Sequence, residues 1–387
     1  MLITNADIVL PERVMHGSLR ITSGLIADVS EHIAPQPGEE IMDADGMIVM
    51  PGVVDCHTHG SGGYDFMDGT EEEAEEAALS LAKHGTTACL PTSLTSSDDD
   101  LFLFLRNIRK ARDAGRGARI LGVHLEGPYF DMEMKGAQDP RYIRNPDPSH
   151  YYRILECADG LIRRWTVAPE LPGAMEFIRT LSGMGITVSC GHTAATYDQI
   201  SEAYDSGASE LTHFYSGMSS IVRRGGFRVL GAVEAGYLID DMYAEIIADG
   251  MHLPPELLEF IFRFKRKDRI VGCSDSMRGA GMPEGPSILG PKSNGTAVII
   301  EDGIAKMPDR TCFAGSVATG ERMVQTLVLT MGMTPEDAAA ILSLQPARTI
   351  GMDSSIGSIE KGKNADLLLF DSSMKLRSTL IGGSVVR

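Results

Sequence analysis

The sequence predicts an α/β chain: a (β/α)₈ TIM barrel carrying a small β-sandwich domain formed from both chain termini. Three observations predict it. Short apolar, β-branched runs recur through the middle of the chain, segments with helical periodicity separate most of them, and the two ends share a texture of short strands and turns without a helical stripe.

From Leu2 to Met50 the text reads LITNADIVL, GSLRITSGLIADVS and DADGMIVM, and the same texture returns in GSIEKGKNADLLLFD and STLIGGSVVR. Neither end alone holds enough strands for an independent core, so the two are expected to build one domain together. The expected division is residues 1–50 with 351–387 for the β domain and 51–350 for the barrel. Within 290–312, the hairpin TAVIIEDGIAKMP is a candidate to rejoin the β domain.

The barrel runs are IVMPGVVDCH, TTACLPTS, RILGVHLEG, RWTVAPE, ITVSCGHT, ELTHFY, YAEIIADG and RIVGCSDS. Helical stripes fall in EEEAEEAALSLAKHG, DLFLFLRNIRKARDAG, PGAMEFIRTLSGMG, YDQISEAYDSG and PPELLEFIFRFKRK. Eight strands alternating with helices is the count of a closed parallel barrel. An open doubly wound sheet also alternates, but it usually needs fewer strands, and no GxGxxG follows the first run here.

The 387 residues suffice for one barrel of roughly 250 residues plus a satellite domain. The net charge of −18 and the lack of a Lys/Arg cluster argue against nucleic acid as a partner. An anionic substrate then needs a few basic residues to overcome this field locally. No stretch reaches 18 consecutive apolar residues, and the N-terminus has no signal-peptide pattern, so no membrane partner is expected. Six cysteines without a CxxC pair read as reduced thiols of a cytoplasmic protein.

The chemistry concentrates at the C-terminal ends of the barrel runs. In Asp55-Cys56-His57-Thr58-His59, the two histidines lie two apart on a strand and project to one side, where they can converge on a cation. Glu126 ends VHLEG, His192 ends SCGHT, His213 ends LTHFY and Asp275 ends VGCSDS. Barrel enzymes place their reactive groups at this rim. Imidazoles with carboxylates suit a divalent metal, and zinc, iron, manganese and cobalt are all compatible with that donor chemistry.

These residues resemble the amidohydrolase superfamily and, within it, the N-acetylglucosamine-6-phosphate deacetylases. The likeness extends through PGVVDCHTHG, HLEGPY followed by KGA, APE, GHTAAT, THFYSGM, ADGMH, SDSMRGAGMPEG, AGS, PAR and GSIEKGKNADLLLFD. It implies hydrolysis of the N-acetyl group of an amino-sugar phosphate by a homodimer. It implies that Glu126, His192 and His213 hold the principal ion and that His57 and His59 are available for a second, so that one or two ions bind per chain. Asp275 is implied as the group that takes a proton from the attacking water and delivers it to the sugar nitrogen. His252 is implied as a substrate contact, and one of Arg223, Arg224 and Arg228, with Arg224 the candidate, as the phosphate ligand, in some members across a dimer interface.

The chain departs from the family pattern in its substrate loops. Gln138 stands where a His usually follows KGA, Ser216-Gly217 replaces Asn-Ala, and RRGGFR replaces Arg-Glu-Pro-Gly. Gln donates a hydrogen bond but carries no charge. Alternatives are therefore carried: the galactosamine isomer, another cyclic or linear amide, and, remotely, a non-catalytic sugar-phosphate binding protein.

Overall fold

The computed structural model describes all 387 residues. Eight parallel strands form the barrel: β1 (Val53–Thr58), β2 (Thr86–Ser93), β3 (Val123–Glu126), β4 (Ile162–Val167), β5 (Thr187–Cys190), β6 (Ala208–Leu211), β7 (Tyr243–Ile247) and β8 (Ile270–Cys273). Each pairs with its successor, from Val53↔Thr86 at one end to Ala244↔Ile270 at the other. The ring closes just beyond β8, where the Asp275 amide donates to the His57 carbonyl at 2.9 Å.

Helices α1 (Glu71–Lys83), α2 (Asp98–Ala114), α3 (Pro148–Ala158), α4 (Ala174–Gly183), α5 (Tyr197–Asp205), α6 (Ala232–Leu238) and α7 (Pro255–Phe264) follow the first seven strands. Their starts are chemically marked. The Thr70 and Ser97 hydroxyls accept from the Glu73 and Asp100 amides at 3.2 Å, and Glu71–Glu73 and Asp98–Asp100 place negative charge on the first turns. Helix α1 buries Ala74, Ala77, Ala78, Leu81 and Ala82, the i, i+3, i+4, i+7 stripe of an amphipathic helix. Helices α3 and α6 were not among the periodic segments. Helix α6 has only 7 residues, and α3 buries His150 and Tyr151 beside Ile154 and Ala158, so little of its buried face is aliphatic.

The termini build a second, eight-stranded sheet in the order Ser384–Val385, Leu376–Ile381, Leu367–Phe370, Ile48–Pro51, Leu2–Val9, Val14–Thr22, Leu25–Ser30, with Ile41–Asp43 beside Leu2–Val9. The antiparallel register Leu367↔Pro51 to Phe370↔Ile48 joins the two chain ends. Strand alternation welds this sheet to the barrel: Leu367 and Leu369 belong to the core of the β domain, whereas Leu368 and Phe370 point into the barrel's core.

The hairpin does not rejoin that sheet. Gly285–Leu289, Thr296–Glu301 and Ile304–Lys306 form a separate three-stranded sheet. Its apolar side, Leu289, Val298, Ile300 and Ala305, is satisfied by Met277 and Ala314 from the loops after β8, which anchors it over the barrel mouth.

Candidate metal centre

His57, on β1, and Glu126, at the end of β3, project from the strands themselves, and His59 follows one residue after β1. His192, His213 and Asp275 lie two residues past the ends of β5, β6 and β8. All three have left-handed backbone, with φ of 47°, 32° and 47°. Non-glycine residues rarely adopt this conformation, and it is stored where surrounding structure over-determines it. The bend turns each side chain inward over the barrel axis.

Two donor groups form at the rim, Glu126 with His192 and His213, and His57 with His59 and Asp275; a third grouping, His57 with Glu245 and Cys273, shares His57, and neither Glu245 nor Cys273 lines the cavity above. In the first, the Nε2 atoms of His192 and His213 are 3.1 Å apart and lie 3.2 and 3.1 Å from Glu126 Oε1. In the second, His59 Nε2 is 3.2 Å and His57 Nε2 3.5 Å from Asp275 Oδ1. Glu126 joins the groups, with Oε1 3.4 Å from His57 Nε2 and Oε2 3.4 Å from His59 Nε2.

The hydrogen bonds behind the rings fix their tautomers. His192 Nδ1 faces the Met134 carbonyl at 2.8 Å, His213 Nδ1 the Ser216 carbonyl at 3.1 Å, and His59 Nδ1 the Thr92 carbonyl at 3.2 Å. His57 Nδ1 faces Glu245 Oε1 at 3.0 Å. Carbonyls and carboxylates only accept, so each Nδ1 carries a proton and each ring turns Nε2, the atom left to bind a metal, toward the others. His57 Nε2 is buried without any hydrogen-bond partner. Nε2 atoms and carboxylate oxygens converging at 3.1–3.5 Å call for positive charge between them, from a metal ion or, in its place, from protons on the rings. A tetrahedral ion with bonds of about 2.0–2.1 Å has donor–donor edges of about 3.4 Å, so the residues present fit a divalent metal.

Electrostatics agree. Burial by itself disfavours a charged His57 or His59, but the carboxylates of Glu126 and Asp275, with Glu245 acting on His57, outweigh it and push His57 well up and His59 up to about 9. Glu126 and Asp275, although buried, are held below the ordinary carboxylate range, chiefly by the neighbouring His57. The cluster is short of positive charge.

Above the donors lies a cavity of about 260 Å³ lined by Gln138, Ser216, Gly217 and His252 together with Leu289 and Phe313. Gln138 has both ends of its amide engaged, Nε2 donating to Glu126 Oε2 at 2.7 Å and Oε1 accepting from the Thr95 amide at 2.8 Å. Gly217 sits at φ 55°, where a Cβ would lie 3.2 Å from His192 Nδ1 and the Met134 oxygen. His252 donates from Nδ1 to Asp249 at 2.8 Å, and its ring meets Phe313 edge-on with centroids 5.0 Å apart. Arg224 is not brought to this cavity. It is exposed on the hairpin Val222–Val229 and lines a different depression with Glu133 and Ser220. His124 packs edge-on to His57 with centroids 4.6 Å apart and bonds Thr166 Oγ1 at 2.7 Å, a neutral interior histidine whose basicity burial lowers.

Sequence reasoning passed over Glu245 and Arg164, which lie under His57, and Asp249, which orients His252. Their signal was charge in the wrong place: Arg164 and Glu245 interrupt the buried apolar strands β4 and β7.

Known proteins share this architecture. The model of the amidohydrolase family matches residues 48–386. An N-acetylgalactosamine-6-phosphate deacetylase of Escherichia coli O157:H7 is 33% identical over 95% of this chain and 94% of its own length. An N-acetylglucosamine-6-phosphate deacetylase of Lysinibacillus sphaericus is 31% identical over 94% of this chain and 91% of its own. Among solved structures, a mutant N-acetyl-D-glucosamine-6-phosphate deacetylase of Mycobacterium smegmatis in complex with N-acetyl-D-glucosamine-6-phosphate superposes with a TM-score of 0.91 at 30% identity, covering 100% of this chain and 99% of that one. With a matching family model across the barrel and relatives of this identity along nearly the whole length, the chain belongs to the amidohydrolase family.

Proposed function

We propose that this protein hydrolyses the N-acetyl group of N-acetylglucosamine-6-phosphate, releasing acetate and glucosamine-6-phosphate. One observation carries the reading: histidine and carboxylate donors from five strand ends meet around Glu126 on the floor of a small-molecule cavity, in a chain similar along its length to sugar-phosphate deacetylases.

Glu126, His192 and His213 would hold one divalent ion, and His57 and His59 a second, with zinc or iron preferred over manganese or cobalt. Such an ion supplies Lewis acidity and lowers the pKa of water toward about 7. Asp275 takes a proton from the attacking water and delivers it to the sugar nitrogen as the C–N bond breaks. It lies beside both His57 and His59, open to the cavity. His252, fixed by Asp249, presents its free Nε2 to substrate, and Ser216, Gly217 and Gln138 shape the wall around the acetyl group.

No Lys or Arg lines the cavity, so the phosphate charge must be met from elsewhere. The reading assigns this to Arg224 of a second copy in a homodimer. In support, the hairpin bearing it exposes apolar surface, with Phe227 79% exposed and the adjoining Ile221 52%. No helix is long and apolar enough to cross a membrane, and all six cysteines are unpaired, which suits the reducing cytoplasm we assign to it.

The galactosamine isomer is the second reading, favoured by the 33% identical relative of that name. Acetate release from both isomers and from the unphosphorylated sugar, with metal-loaded protein, separates the two. Turnover of neither phosphate ester sinks the deacetylase reading. Arg224→Ala should raise KM for the preferred phosphate ester at least tenfold while leaving the unphosphorylated sugar unaffected; equal effects on both would remove Arg224 from phosphate recognition.

A further inference from the structure

Beneath the metal cluster the barrel interior holds charge where such interiors are normally filled by apolar layers. Arg164 on β4, Glu210 on β6 and Glu245 on β7 are all 0% exposed. Burying ions costs several kcal/mol each unless geometry and hydrogen bonds compensate, and apolar residues of similar volume would often serve stability as well. Their arrangement points upward, toward the donors.

Arg164 Nη1 donates to Glu245 Oε2, and its Nη2 bonds Ser189 Oγ at 3.2 Å and Thr212 Oγ1 at 3.1 Å. The guanidinium is thereby tied to β7, to β5 and to the residue just after β6, and it aims one side of the Glu245 carboxylate. The other oxygen, Oε1, accepts from His57 Nδ1 at 3.0 Å and from the His213 backbone amide at 3.0 Å. A single oxygen thus ties a ring of one donor group to the backbone of the other. Because it can only accept, it keeps the His57 proton on Nδ1 and leaves Nε2, the buried atom without a hydrogen bond, aimed at the cluster. Groups that orient a metal-binding imidazole in this way typically alter metal affinity 10–100-fold when lost.

We propose that Glu245, aimed by Arg164, is a positioning residue that makes the His57–His59 half of the cluster competent to hold a metal and sets its spacing from the His192–His213 half. It touches neither substrate nor ion; it acts through His57 and the His213 amide. The inference rests on the metal-binding part of the proposed function and is independent of which amide is hydrolysed.

The test uses Co²⁺ alone as probe, with the full-length protein stripped of metal. Stoichiometry and affinity come from equilibrium dialysis, ligand geometry from the visible absorption bands, and fold integrity from the melting temperature of the metal-free protein. Glu245→Asp keeps the charge opposite Arg164 but withdraws the carboxylate by one methylene. It should weaken the Co²⁺ bound through His57 and His59 by about 10–100-fold and shift its absorption band, while the ion held by Glu126, His192 and His213 is affected less.

The triple variant Arg164→Met/Glu210→Gln/Glu245→Gln retains an acceptor for both N–H groups and removes the guanidinium together with both carboxylates that face it. It should return Co²⁺ affinity to within a few-fold of the unaltered chain. A merely structural pair would lower the melting temperature without separating the two affinities. Glu245→Asp with unchanged affinity and spectrum overturns this inference alone. An unaltered chain that takes up no Co²⁺ overturns the metal reading and this inference with it, whereas failure of acetate release leaves the Co²⁺ result standing.

Discussion

Replacing Asp275 by Asn exchanges one carboxylate oxygen for an amide nitrogen and alters little else. The backbone at this residue has φ 47°, and Asn is among the residues that tolerate it best, so the strain does not increase. Volume is preserved, and no cavity opens around a side chain that is only 8% exposed. What disappears is the capacity to take up and return a proton 3.2 Å from His59 Nε2. A positioned acid–base group contributes roughly 10²- to 10⁴-fold, equivalent to about 3–5 kcal/mol of barrier. We therefore expect kcat for acetate release to fall by two to four orders of magnitude, with KM changed only a few-fold. Metal content, measured on the same preparation by atomic emission, should match the unaltered protein at the Glu126–His192–His213 group. Near-normal turnover would refute the proton-carrying role. Lost activity accompanied by complete loss of metal would instead identify Asp275 as an indispensable ligand.

Three further outcomes follow from the packing. Trp165 is fully buried, edge-on to Phe177 with centroids 5.0 Å apart, and donates from Nε1 to the Gly127 carbonyl at 2.8 Å; Trp165→Ala should cost about 3–5 kcal/mol and lower Tm by about 4–6 °C, and a fall of no more than a degree by calorimetry would contradict this. At Gly191 a Cβ would meet Thr212 Cβ at 2.8 Å and Thr166 Cγ2 at 2.9 Å, both in the barrel interior; Gly191→Ala should destabilise by about 1–3 kcal/mol and displace the adjoining His192, visible as weaker metal retention, whereas an unaltered urea midpoint would show that the interior yields. Lys265 is 4% exposed, with Nζ bonded to the Ile239 and Asp240 carbonyls, and burial brings its pKa down to about 8 against an ordinary value of 10.5. Between those values the unfolded chain binds more protons than the native one, so this group makes stability rise with pH by up to about 1.4 kcal/mol per pH unit. Lys265→Met should therefore gain stability over the unaltered chain near pH 7 and lose that advantage by pH 10.5, and a constant difference in urea unfolding across the range would refute the assignment.

The barrel was legible because its signal is local. Each strand is a short apolar run and most helices carry a stripe several turns long, so the eightfold alternation can be read without knowing what packs on what. Helix α6 escaped because it is short, and α3 because its buried face carries His150 and Tyr151 in place of an aliphatic stripe. The strand pairing of the hairpin within 285–306 was also local, but its destination was not: whether its apolar side meets the termini or Met277 and Ala314 depends on contacts distant in sequence.

The same division runs through the candidate site. By itself the sequence determined the type of donors and their place at the strand ends, because alternation along a strand and the polarity of a parallel barrel dictate which ends share a rim. Only the tertiary structure decided how those donors are aimed. The left-handed turns at His192, His213 and Asp275, the carbonyls that hold each Nδ1 proton, and the Glu245–Arg164 pair beneath His57 are relations between residues up to about 190 positions apart, as with His57 and Glu245. Tautomer and orientation are set by the hydrogen bond at the far side of a ring, and that partner is supplied by whichever strand the closed barrel brings alongside. Gln138 illustrates the point, since its place after KGA, read by family resemblance, suggested a substrate contact while its neighbours commit both ends of its amide to Glu126 and Thr95.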